Sequence, residues 1–333
     1  MKCTELSHRL RALGAVIAGS VMLAACSVVE SGAGGGDQQR PVVRFSATLD
    51  PSSIGTVAQV IKSKKLDEEC GITMEVSHFS PDAAEVALLS GQTDVGYFGY
   101  NSRAGSPEKV NKLDMLAPLQ AEHGVLFVPE DSSARTLEDL KGKKIALLPK
   151  VSAQHQDFNM LVAKMGLSLK NDFETVTGPP PAIEAFLKRG QVDGAILFEP
   201  NATNLEQEGG YRPILKLNEQ WQELTGNPLY MLGISANSAW LADHRNEAEC
   251  AVSAVRKATE MLADDPKVYE DLRKTLEAKN DKHLTELSKN LGVIYTPESA
   301  EEAAGPVRQQ LEEAKKLGLI PKVPEPIFAA AGS

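Results

Sequence analysis

The sequence predicts an α/β protein built as two similar lobes, each with its own sheet flanked by helices, joined by a two-stranded hinge. Three observations carry this prediction. Short apolar strand segments alternate with amphipathic helical segments in β-α-β-α-β order, which favours parallel strands joined by helical crossovers. That order occurs twice along the chain. Finally, Pro81, Ala83, Glu85, Leu88, Gly91, Gln92 and Asp94 recur 99 residues later as Pro180, Ala182, Glu184, Leu187, Gly190, Gln191 and Asp193. One duplication at this spacing is not a solenoid, whose periods are shorter. It reads as two lobes, the other reading being two generic helices of similar composition.

The first element is not part of the fold. Lys2, Arg9 and Arg11 precede an apolar run, Ala12–Ala25, that is shorter than the roughly 20 residues needed to span a bilayer. The run ends Leu23-Ala24-Ala25-Cys26, small residues before a cysteine, as in a bacterial lipobox. Residues 1–25 are expected to be a lipoprotein signal peptide, with Cys26 the acylated residue. The alternative is an ordinary signal peptide with an incidental cysteine. Residues 26–40 follow as a polar, glycine-rich tether. A diacylglycerol carries two chains, enough for stable anchoring to the cell membrane.

In the mature chain, Val42–Leu49 reads as a buried strand. A helix carrying Ile54, Val57, Ala58 and Ile61 follows, with Gly71 as terminator. Ile72, Met74 and Val76 alternate with polar residues, a strand pattern. Ser80-Pro81 opens a helix that Gly91 closes. Val95–Phe98 is the next strand, and Leu113–Leu119 another. The second half repeats the order, with strands over Lys144–Leu148, Phe173–Val176 and Ala195–Phe198 and helices over Gln154–Met165 and Ala182–Arg189. Gly124–Val128 reads as a strand leaving the first lobe, and Leu229–Ala236 as one returning to it. Crossings near 124–128 and 228–234 then form the hinge. Lobe I takes 41–124 and 232–333, and lobe II takes 125–231. From Ser238 onward the chain is mainly helical and is expected to pack on lobe I.

Composition narrows the function. The chain is acidic, with a formal charge of -10, and loss of the signal makes it more so. No basic run is present, which argues against nucleic-acid binding. His78, His123, His155 and His244 are scattered without metal-ligand spacing, and no nucleophile elbow or phosphate-binding glycine loop occurs. Neither metal nor cofactor is expected. Cys70 and Cys250 remain after export; an oxidising compartment permits a disulfide between them, and two buried thiols is the other reading.

Ligands of open parallel sheets bind beyond the carboxyl ends of the strands. Four loops meet that description: Asp50–Ser53, Gly99–Ser102, Pro149–Gln154 and Glu199–Asn201. Ser52, Ser53 and Ser152 precede helices, whose free N–H groups favour anions, or they merely cap them. Gln154 lies in the same loop as Ser152. Tyr100 suits a flat ligand, whereas Tyr97 suits the core. Asp50 and Glu199 suit an amine or ring N–H, and Asn101 and Asn201 offer donors and acceptors. Gln120, His123 and Tyr230 complete the candidate ligand-binding set.

These residues resemble a known family. The chain is similar to type II periplasmic substrate-binding proteins of ABC importers, in the group of sulfonate, nitrate, taurine and thiamine-pyrimidine binders. The resemblance runs from about Val42 to Ala236. It rests on Leu88-Leu89-Ser90-Gly91-Gln92-Thr93-Asp94-Val95-Gly96, on the segment Thr136–Ala146, and on Gly190–Ala195 followed by Phe198-Glu199-Pro200. It implies a hinge-bending fold with a mixed sheet in each lobe. A small molecule held between the lobes would pass to a membrane permease driven by an ATPase, with the binder acting as a monomer. The family often places glycine and a hydroxyl residue where this chain has Lys150-Val151-Ser152. Lys150 suits an anion and Asp50 an amine. The expectation leans to a sulfonate or aromatic or organic acid, with a pyrimidine-type ligand next. Binding without turnover is expected. The rival, an enzyme on the same fold, would pair His123 with Glu199.

Overall fold

The computed structural model describes residues 40–330. The expected signal peptide over 1–25, the lipidation candidate Cys26 and the tether up to residue 39 lie outside the described residues. The strands are β1 (Val42–Thr48), β2 (Thr73–Phe79), β3 (Val95–Gly99), β4 (Leu113–Ala121), β5 (Val125–Pro129), β6 (Lys144–Leu147), β7 (Glu174–Thr177), β8 (Gly194–Leu197), β9 (Tyr211–Lys216) and β10 (Tyr230–Asn237). Helices α1 (Ser53–Lys64), α2 (Leu66–Glu69), α3 (Pro81–Ser90), α4 (Tyr100–Ala104) and α5 (Pro107–Lys112) belong to the first half. Helices α6 (Ala153–Lys164), α7 (Leu169–Asp172), α8 (Pro180–Lys188), α9 (Asn201–Glu208) and α10 (Leu217–Thr225) belong to the second. The remainder is helical: α11 (Ser238–Leu241), α12 (Arg245–Asp264), α13 (Val268–Leu272), α14 (Asp281–Gly292) and α15 (Ala300–Lys316).

Two five-stranded sheets result, ordered β2-β1-β3-β10-β4 and β7-β6-β8-β5-β9. In the first, β1 runs parallel to β2 and β3, and β10 runs antiparallel to β3 and β4. In the second, β6 is parallel to β7 and β8, and β5 is antiparallel to β8 and β9. The two orders superpose with β10 in the place of β5. The repeated helices also correspond, since Pro81 opens α3 and Pro180 opens α8. Proline fits there because the first helical N–H has no intrahelical acceptor to lose. After each helix a glycine takes up positive φ, 75° at Gly91 and 64° at Gly190, a turn that costs an L side chain.

The hinge is two-stranded, and its crossings lie slightly upstream of the expected ones. Residues 122–124 lead into β5, and the chain returns through α10 to β10. Glu122 N donates to Leu229 O at 2.7 Å, and Leu217 N donates to Gly124 O at 3.0 Å, so the crossings are bonded to each other. The shift arises because β5 and β10 are sheet strands throughout, with Leu126, Phe127 and Ile234 fully packed.

One apolar core surrounds β1, α1, α12 and α14. Another joins Phe98 and Leu113 of the first lobe to Phe158 and Leu161 of α6 and to Val307 and Leu311 of α15. The C-terminal helices therefore do not pack on lobe I alone. Lys164 of α6 pairs with Glu313 of α15 at 2.9 Å, and Asn290 of α14 donates to Thr203 of α9 at 2.8 Å. Cys70 and Cys250 form a disulfide that ties the end of α2 to α12.

Candidate functional site

Both sheets point strand carboxyl ends at one cavity of about 300 Å³. The loop after β1 supplies Asp50, Ser52 and Ser53. The loop after β6 supplies Ser152 and Gln154. Asn201 lies after β8, and Gln120 and His123 come from the end of β4 and the hinge. Glu85 and Tyr97 line it as well. Ile54, Leu148, Phe198, Met231 and Leu232 form the apolar wall together with Pro179, Pro180 and Pro181.

The serines do two things at once. Ser52 accepts from Gly55 N at 2.9 Å and caps α1; Ser152 accepts from His155 N at 3.4 Å and caps α6. Both 12-residue helices thus start at the cavity, aiming the positive ends of their dipoles at it. Ser53 Oγ donates to Gln120 Oε1 at 3.3 Å. That fixes the Gln120 amide with Nε2 unpartnered among the described residues. Gln154 has neither amide atom satisfied, and the Tyr97 hydroxyl is likewise unpartnered. Buried polar atoms are normally bonded, so these are the groups a ligand would meet.

Electrostatics sharpen the picture. His123 Nδ1 lies 3.1 Å from Ala121 O, an acceptor, so Nδ1 carries the proton and Nε2 is a bare acceptor. Burial pushes the His123 pKa down to about 4, so the ring is neutral near pH 7. Burial pushes Glu85 up to about 8, against the attraction of Lys109 and hydrogen bonds from Ser102 and the Ala153 N–H. The Tyr97 phenol is raised first by burial and then by Glu85. Among the described residues no lysine or arginine lines the cavity. Lys150 is exposed. Asp50 sits at the rim and accepts from Gln59 Nε2 at 2.7 Å.

Four expected residues do not line the cavity. Tyr100 starts α4 with its ring turned into the core, edge-on to Tyr230 and Phe328 at 6.4 and 6.0 Å. Tyr230 lies in that same core. Asn101 donates to Asp157 Oδ1 at 2.7 Å and faces α6. The whole loop from Gly99 is covered, because the first turn of α6 sits directly on it: a Cβ on Gly99 would lie 2.5 Å from that of Ala153. Glu199 turns towards α9, accepting from Thr203 N at 3.3 Å, and burial raises it to about 7. The His123–Glu199 acid–base pair is therefore not assembled. Among the described residues no cluster of three or more metal-ligating side chains occurs.

Sequence reasoning missed Glu85, the proline wall and Phe198, and assigned Tyr97 to the core. Glu85 is matched in the repeat by Glu184, which pairs with Lys188 on the surface. Divergence between the two copies was the available signal.

Comparison with known proteins agrees with this geometry. The profile of the NMT1-like family matches residues 45–276. The taurine-binding periplasmic protein of Escherichia coli K12 is 33% identical over 171 residues, covering 50% of each chain. The chain thus matches about half the length of that curated relative. The alkanesulfonate-binding protein SsuA of Xanthomonas axonopodis pv. citri, bound to MOPS, shares the fold with a TM-score of 0.69 at 19% identity, over 89% of this chain and 99% of that one. The aliphatic sulphonate-binding protein SsuA of Escherichia coli follows at 0.63 and 20%, over 84% and 89%.

Proposed function

The chain belongs to the NMT1-like family, and from that premise we propose that it is an extracytoplasmic solute-binding protein serving an ABC importer. It captures one small organic molecule between lobe I (41–124 and 232–333) and lobe II (125–231) and passes it to the permease without turnover. It is anchored through a diacylglycerol on Cys26 after removal of residues 1–25 and acts as a monomer. The observation that carries this reading is the cavity shared by both lobes, in which Gln120, Gln154, His123 and Tyr97 present unpartnered polar atoms. The names of the relatives, which concern taurine and sulfonates, support import of the same class of solute.

The ligand is a compact sulfonate or organic acid with an apolar body. Its anionic head faces the amino ends of α1 and α6, where backbone N–H groups bind anions without a side-chain cation. A donor on the ligand meets His123 Nε2. A pyrimidine-type ligand is the second reading, favoured by the absence of any cation from the lining and by the amides of Gln120 and Gln154.

Mass spectrometry of small molecules released from the mature protein tests this. One compound per chain is expected, rebinding at 1:1 by calorimetry. Gln154→Ala should weaken it about tenfold, as loss of one buried hydrogen-bonding group does. No retained compound, together with no binding of taurine, alkanesulfonates or pyrimidines, would sink the proposal.

A further inference from the structure

Three buried polar side chains from three parts of the chain meet behind the cavity. Glu122 lies in the first hinge crossing, Asp157 on α6 of lobe II and Asn101 on α4 of lobe I. Asn101 Nδ2 donates to Asp157 Oδ1 at 2.7 Å, and Gly124 N donates to Glu122 Oε1 at 2.7 Å. The other oxygens, Glu122 Oε2 and Asp157 Oδ2, have no donor among the described residues. The two carboxyls are within hydrogen-bonding reach of each other. Two ionised carboxylates this close, away from water, repel strongly, and one proton between them turns the repulsion into a charge-assisted bond.

Among the described residues no cation relieves the pair: Lys109 of α5 donates to Ser102 Oγ at 2.9 Å and attracts Glu85 instead. Glu85 of α3 adds a third acid. Arg103 of α4 donates through Nε to Leu113 O, and its anionic neighbour is Asp114. His155 of α6 directs Nδ1 to Leu148 O, and His123 is neutral. Tyr100 of α4 stacks edge-on with Tyr230 of β10. From α10, Leu217 and Trp221 are buried in the apolar core.

We propose that Glu122 and Asp157 share one proton when the lobes are closed, and that this proton is a latch across the hinge: closing takes it up and opening releases it. The latch rests on the reading that the lobes open and close on a ligand. Opening parts Asn101 from Asp157 and admits water, which returns both carboxyls to their ordinary range. The sign follows from linkage. In the closed form burial raises both carboxyls, Asp157 well above the usual range with repulsion by Glu122 adding to it. Closure is therefore easiest at acid pH. It becomes harder as pH climbs above about 4.5, where the open form gives up the proton, by up to about tenfold per pH unit for one proton, and levels off only where the closed pair loses that proton too.

The test uses the full mature protein without ligand, so a failure to find any ligand would sink the functional reading and leave this measurement intact. Infrared titration from pH 5 to 9 reads protonated carboxyl groups directly. Wild type should keep one carboxyl's worth more of that band near neutrality than either Glu122→Gln or Asp157→Asn. Small-angle scattering over the same range should show wild type opening as pH rises and Asp157→Asn staying closed, because its amide donates to Glu122 at every pH. If Asp157→Asn fails to fold, Glu122→Gln serves the same comparison. Equal bands in all three proteins, scattering of wild type that ignores pH, or a pair that is ionised at pH 6 and stabilised by added sodium or calcium over potassium would each overturn the proposal.

Discussion

Gly99 shows how one missing methyl group lets two lobes meet. It ends β3, and the first turn of α6 rests on its bare Cα: an added Cβ would come within 2.5 Å of Ala153 Cβ and 3.1 Å of its Cα. Both are parts of ordered backbone or stiff side chain, so neither can yield cheaply. Overpacking of this kind costs about 1–3 kcal/mol. On the proposed opening and closing of the lobes, the clash would arise only in the shut form, so the cost would fall on closure rather than on folding. Gly99→Ala should weaken retention of the ligand roughly tenfold to a hundredfold by calorimetry, with an unchanged circular dichroism spectrum. The same contact explains why Tyr100 and Asn101 were misplaced by the sequence: strand-end position was legible, but the helix that would cover it was not. Ser52, Ser53, Ser152, Gln120, His123 and Gln154 were legible because strand ends and helix starts have strong local signals.

At the scale of elements, the helix boundaries follow from caps that can be read in the sequence. Ser52 and Ser152 cap α1 and α6, Pro81 and Pro180 open α3 and α8, and Ser299 with Glu302 forms a capping box on α15. What could not be read was partnership between distant elements. The link between Cys70 and Cys250 is of that kind, since 180 residues separate them and no local rule says whether they meet. The bond lies at the amino end of β2, away from the carboxyl ends that shape the cavity. The double replacement Cys70→Ser with Cys250→Ser should cost about 2–5 kcal/mol in urea unfolding. Ligand affinity should stay the same, and a variant that loses binding in proportion to stability would contradict that separation.

For the whole molecule, buried acids dominate the pH response. Glu85 at about 8 and Glu199 at about 7 hold protons when folded that an unfolded carboxyl releases above about 4.5. Their contribution is complete below that value and is lost as pH rises through 7 to 8. His123, depressed to about 4, acts in the opposite direction, and its contribution is lost as pH falls from about 6.5. Thermal unfolding should therefore show a mildly acidic optimum and a loss of roughly 2–4 kcal/mol between pH 6 and 8.5. Glu85→Gln should flatten that slope; an optimum above pH 8 would contradict it. The two-lobed plan itself was legible through the 99-residue repeat, because each copy carries a complete strand–helix–strand rhythm. The antiparallel strand in each sheet was harder to see, since β5 and β10 look like ordinary apolar runs.

That exchange of strands has a consequence for the order of assembly. All five strands of the second sheet come from residues 125–216, one unbroken stretch. The first sheet cannot close until β10 slots between β3 and β4, and β10 begins only at Tyr230. A chain emerging amino end first therefore completes its inserted half while the half that was made earlier still waits, its central slot open, for the last strand to arrive.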